Sequence, residues 1–142
     1  MGMRLTIKGE TDQIFLDEHH ITDGKYFTDT PDDSNARSTD VMSTMIINGK
    51  ILTPVKGAPV DDTLKIAKWS KVRAEVADSY REVTLEVIVA DVVIRKITFP
   101  HAFVVDFDEH YFDTEGVGTF KLTVRQKKDK FDLTEIVGGF GI

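Results

Sequence analysis

The chain has no cysteine, only four prolines, a single tryptophan and no surplus of basic residues, and each shortage narrows what it can be. Without cysteine, disulfides and thiolate metal sites are excluded. Lys and Arg total 18 against 24 Asp and Glu, a net charge of −6, which argues against a nucleic-acid surface because such a surface carries basic excess. No stretch approaches the roughly 20 apolar residues of a membrane helix. Even residues 83–97 are broken by charges, so no membrane partner is expected. The first eight residues lack the apolar core of a signal peptide, which sets the expected address as the cytoplasm at synthesis.

What remains is 142 residues, 41% apolar and 30% charged, enough for one domain with a core of its own. The best-patterned stretch spans residues 61–128. Val83, Leu85, Val87 and Val89 recur every second residue against Glu82, Thr84 and Glu86, the pattern of a half-buried strand. Ala90 and Asp91 leave room only for a tight turn, so the run from Val92 to Phe99 is its antiparallel partner. Pro100 cannot donate to a ladder, yet strand character resumes with Phe103, Val105 and Phe107 alternating against Val104, Asp106 and Asp108; a bent or bulged strand fits. Phe120, Leu122 and Val124 mark a last clear strand, with Lys121, Thr123 and Arg125 on its other side.

Before this stretch, Leu5 and Ile7 predict a first strand, Ile14 to Leu16 its return arm, and residues 42–52 another strand. Residues 28–40 form a polar arm with nothing apolar beyond Ala36 and Pro31. Its plain reading is a surface loop; its sharper reading is an arm ordered by a neighbouring subunit. A short helix is predicted over residues 62–73, with Asp61 and Asp62 as N-cap candidates. It is too short to stand alone, so its Trp69 side must dock on the sheet. The tail, residues 131–142, carries Phe131, Leu133, Ile136 and Phe140 and needs a surface to sit on. The expected fold is one mainly β domain: an antiparallel β-barrel or sandwich with one short α-helix.

No catalytic constellation emerges. His19 and His20 sit beside Asp17, Glu18 and Asp23, but adjacent side chains on a strand face opposite ways and cannot easily share one ion. Asp106, Asp108, Glu109, Asp113 and Glu115 lack the glycine-bearing spacing of a calcium loop and read as a solvated or interface-facing surface. The serines occupy no nucleophile elbow, and the glycine pairs open no helix after a strand. The expectation is a protein without catalytic residues, cofactor or bound metal.

The order of short strands, long arm, strand, single helix, long hairpin and final strand resembles the tube-forming proteins of contractile and phage-like tails. These include phage tail tube proteins and the haemolysin-coregulated protein of type VI secretion. The segments that carry the resemblance are the helix at 61–72 and the runs 80–88, 92–107 and 118–127. It implies a structural subunit whose rings, six-membered in that family, join their sheets around a channel and stack into a tube. The implied partners are further copies of the chain and sheath, baseplate and terminator proteins, in an assembled tail or secreted particle. The arm residues Asp32, Asp33, Ser34, Asn35, Arg37, Ser38 and Asp40, with Phe131, Leu133, Ile136 and Phe140, become subunit-interface candidates. Thr84 and Glu86, or Lys121, Thr123 and Arg125, become candidates for the channel lining. Two other readings stand beside it. One is a monomeric β-barrel module binding a carbohydrate or protein through Tyr26, Phe27, Tyr111 and Phe112; the other is a metal-dependent hydrolase built on His19 and His20.

Overall fold

Alternation of apolar and polar residues builds most of this chain into strands, and one unusually long strand then divides them into two layers. The computed structural model describes residues 1–10, 12–29, 42–51, 62–73, 75–113, 118–126 and 134–138. In chain order these form β1 (Gly2–Lys8), β2 (Gln13–Leu16), β3 (Ile21–Asp29), β4 (Met42–Ile51), the helix α1 (Asp62–Ser70), a 3₁₀ turn (Ala77–Ser79), β5 (Arg81–Val89), β6 (Val92–Tyr111), β7 (Gly118–Gln126) and β8 (Glu135–Gly138). The strands are joined in the order β2-β1-β5-β6-β7-β4-β3, with β8 attached to β6, and every pairing is antiparallel.

β6 pairs with β5 through its first half and with β7 through its second. Three irregularities bend it between these tasks: an extra residue at Ile94, a two-against-one step at Pro100 and His101 opposite Glu82, and an extra residue at Val105. A bulge is where a proline is tolerated, because its missing N–H takes nothing from the ladder. The buried Gln126 reaches in, and its Oε1 accepts the His101 N–H at 3.1 Å.

The Val105 bulge corrects the sequence pattern. The expected face of Phe103, Val105 and Phe107 is broken, because one extra residue moves all later side chains to the opposite face. The inward set is Ala102 and Val104, then Phe107, whose ring stacks on Phe120. Val105 is left 43% exposed, and Phe103 meets Tyr80 edge-on.

Because β6 bends, the sheet folds over itself. β3, at one end of the strand order, lies against β1, β5 and the first half of β6, where Tyr26 packs on Phe99 with ring centres 5.9 Å apart. A Cβ at Gly24 would sit 3.0 Å from Met3 Sδ and 3.3 Å from a Leu85 methyl, so this close crossing needs glycine. The core between the layers holds Leu5, Ile7, Met45, Ile47, Phe99 and Leu122, all fully buried. The helix docks on it through Thr63, Ile66 and Trp69, as its short length demands. It ends at Ser70, not near residue 73: the N–H groups of Lys71 and Val72 bond to Lys68 and Trp69 three residues back, tightening the last turn until it stops. The hairpin between β5 and β6 turns on Ala90 and Asp91, with φ of 52° and 66°, the left-handed pair that matches strand twist.

Nothing in the sequence pattern marked β3. Thr22 is an extra residue in its pairing with β4, which shifts the alternation, and Gly24 contributes no apolar signal at a core-facing position.

Candidate assembly surfaces

With the core between two layers, each layer turns one polar face outward. On the β1–β5–β6 face, Thr6, Thr84 and Thr98 stand in register, and the Thr84 and Thr98 hydroxyls lie 3.3 Å apart. The row on one side reads Arg4, Glu86, Lys96; the row on the other includes Lys8 and Glu82, whose charges approach to 4.0 Å. With Glu135 of β8 opposite Thr98, the shallow groove on this face is lined by two cations, Lys8 and Lys96, and three anions, Glu82, Glu86 and Glu135. The other face belongs to β4, β7 and the second half of β6. There Lys121 stands between Asn48 and Asp108, Thr123 between Ile46 and Asp106, and Arg125 between Thr44 and Phe103. The Arg125 Nε–H donates to Thr44 Oγ1 at 3.3 Å. The two sets of lining candidates therefore occupy opposite outer faces, and a single channel can take only one of them.

The strand edges differ. β3 and β8 each pair along one edge, and no strand covers the other edge among the described residues. β8 leaves Ile136 half exposed and Val137 40% exposed. The outer edge of β2 is closed: the Phe15 N–H donates to Asp62 Oδ2 at 2.8 Å, and Lys65 Nζ donates to the Gln13 carbonyl at 3.2 Å. Of the interface candidates, Ile136 is placed on β8. Asp32, Asp33, Ser34, Asn35, Arg37, Ser38, Asp40, Phe131, Leu133 and Phe140 lie outside the described residues.

Residues 17–20 form a turn, which revises the geometry assumed for the histidines. Both His19 Nδ1 and His20 Nδ1 approach Asp17 Oδ1, at 3.3 and 3.4 Å, and the His19 N–H donates to the same oxygen. Burial alone would raise the Asp17 pKa; the His19 N–H and the two imidazoles outweigh it and hold the carboxyl below its ordinary value. No three His, Asp or Glu side chains are grouped to hold a metal among the described residues. The Tyr111 hydroxyl donates to Glu109, which raises its pKa, and Asp106, Asp108 and Asp113 are exposed. The four aromatics of the binding-module reading do not gather in one groove. Tyr26 shares a cross-strand row with Val104, seven residues before Tyr111 along β6, roughly 20 Å at strand rise. Among the described residues, no helix is long and apolar enough to cross a membrane.

Sequence reasoning also missed Arg81, which is 5% exposed. Nothing in its neighbourhood of the sequence signals burial; its partners Asp12, Asp78 and Trp69 come from three separate elements.

The mainly β, antiparallel fold with one helix is shared with Hcp1 and with tail tube proteins of contractile injection systems. The chain is similar to Hcp1 from Flavobacterium johnsoniae, with a TM-score of 0.56, 14% identity and 96% of each chain covered. It is similar also to a chain of the anti-feeding prophage baseplate, solved with six-fold symmetry, at a TM-score of 0.54 and 10% identity over 96% of this chain and 92% of that one. A chain of the extended sheath–tube complex of PVC, an extracellular contractile injection system, matches at a TM-score of 0.50 and 9% identity, covering 96% and 89%. No protein-family model matches the sequence, and no curated protein matches it.

Proposed function

We propose that the chain is a non-catalytic structural subunit that joins copies of itself into rings, stacked as the inner tube of a phage-tail-like or contractile injection particle. The observation that carries this reading is the fold shared nearly end to end with Hcp1 and with a chain of a sheath–tube complex. The open edges of β3 and β8 support it, since an unpaired edge is a liability in a monomer and disappears when strands pair around a closed ring. Six subunits per ring is the number suggested by the six-fold baseplate that holds a similar chain. Sheath, baseplate and tube-capping proteins are the partners, because similar chains come from assemblies with those components.

For the channel wall we favour the Thr84 and Glu86 face. Its central strands carry the hydroxyl row Thr6, Thr84 and Thr98 flanked by charges of both signs, and its exposed apolar groups, Phe15 and Val137, stand only on the outermost strands β2 and β8. The Lys121, Thr123 and Arg125 face also carries Ile46, Phe103 and the exposed Val105, apolar groups better covered by a neighbour. Native mass spectrometry tests the assembly: discrete ring masses are expected at high protein concentration, and a chain that stays monomeric there and beside sheath and baseplate proteins contradicts it.

A further inference from the structure

The sheet's strand edges are not treated alike, and the treatment of β2 is specific. In an antiparallel pair, alternate residues turn both backbone groups away from the partner. On β2 those residues are Gln13 and Phe15, opposite Lys8 and Thr6 of β1. A bare edge of this kind is a template for a strand from another chain. Here two side chains from the first turn of α1 stand where that strand would lie. Asp62 Oδ2 accepts the Phe15 N–H at 2.8 Å, Lys65 Nζ donates to the Gln13 carbonyl at 3.2 Å, and Lys65 Nζ also lies 3.2 Å from Asp62 Oδ1. One acceptor and one donor thus reproduce the pattern of a neighbouring strand and bind each other. The edge would otherwise be adhesive, since Phe15 and Leu64 beside it are both nearly half exposed. β3 and β8 have no such cover among the described residues.

We infer that the Asp62–Lys65 pair is an edge guard: it closes β2 against pairing with a second copy of this chain and so confines strand-to-strand association to the remaining edges. Removing the guard opens a third edge and permits contacts that do not close into a ring.

The test compares the purified full-length chain with the double variant Asp62→Ala/Lys65→Ala by light scattering and thioflavin T binding. Circular dichroism and Trp69 fluorescence report whether the fold is retained. Open-ended association is expected to rise by about fivefold, the change in equilibrium that one ordinary hydrogen bond carries. Asp62→Asn keeps a carbonyl acceptor for Phe15 and is expected to behave as the parent. Phe15→Pro added to the double variant deletes the outward donor and is expected to reverse the rise, because proline is compatible with an edge strand facing solvent. If the double variant loses its fold, Lys65→Met alone frees the Gln13 carbonyl and is expected to give a smaller rise. The inference is overturned if a folded guard variant associates no more than the parent, or if Phe15→Pro leaves the added association intact. Light scattering also registers rings and tubes, so the deciding readout is thioflavin T binding, which follows added cross-β pairing and stands apart from the tube reading.

Discussion

The Arg81 guanidinium lies 5.4 Å from the centre of the Trp69 indole while its Nη2 grips Asp78 Oδ2 at 2.5 Å. Its Nε–H donates to the Asp78 carbonyl, and Nη1 lies 3.3 Å from Asp12 Oδ1. One buried cation thereby ties the turn after β1, the 3₁₀ turn before β5 and the helix. The same 3₁₀ turn also holds Trp69, whose Nε1–H donates to the Ser79 carbonyl at 3.1 Å.

Replacing Arg81 by Met keeps much of the side-chain volume but strands the two carboxylates. The variant is expected to lose about 3 kcal/mol, near the lower end for breaking a buried pair because Asp12 and Asp78 keep some contact with water. Urea unfolding followed by Trp69 fluorescence measures this, and a variant within about 0.5 kcal/mol of the parent counts against the arrangement.

The same contact makes stability fall in acid. Burial alone would raise the Asp78 pKa; the Arg81 hydrogen bond and charge, with the Glu10 N–H, prevail and lower it below 3.8. A carboxyl lowered on folding contributes stability that is fully present above its unfolded value and is lost as pH falls through the folded one. The loss therefore begins near pH 3.8 and grows below it. Asp78→Asn is expected to flatten this part of the pH profile and to lower stability at neutral pH. An unchanged acid profile in the variant would show that the pair carries no such linkage.

The β5–β6 turn is built from residues poorly suited to it. Ala90 and Asp91 both hold positive φ, which costs a residue with a Cβ about 1 kcal/mol or more. Ala90→Asn with Asp91→Gly supplies the preferred pair for this turn and is expected to raise the melting temperature by about 3 °C. A lower melting temperature would mean that Ala90 or Asp91 makes contacts the turn geometry does not reveal.

Assembly and folding are expected to separate at β8 and at the arm. Ile136 is half exposed and pairs with Ile97, so Ile136→Asp should lower monomer stability by about 1 kcal/mol, too little to unfold it, yet reduce ring formation. Deleting residues 34–40 is expected to leave the monomer folded and to weaken rings or stacks. Sedimentation velocity beside thermal melts separates the two effects; unchanged assembly after the deletion removes the arm from the account.

Much of the fold was legible because its strands are buried on one face and keep the two-residue period, as at Val83 and Leu85 or Phe120, Leu122 and Val124. Trp69 announced the docking side of the helix for a similar reason. What failed has a local cause. β3 hides its alternation behind the Thr22 irregularity and a core-facing glycine, and the bulge at Val105 inverts a face that the pattern alone reads the other way. The candidate surfaces were less legible still. Edge exposure depends on strand order, which no periodicity encodes, and the guard on β2 joins residues some fifty positions apart, Phe15 to Asp62 and Gln13 to Lys65.

The central claim, that this chain builds tubes, is tested most directly by negative-stain electron microscopy of the purified protein at high concentration, alone and with the sheath and baseplate proteins proposed as partners. Rings with an open centre, or stacks of them, are the predicted images. Uniform single subunits under every one of these conditions would contradict it.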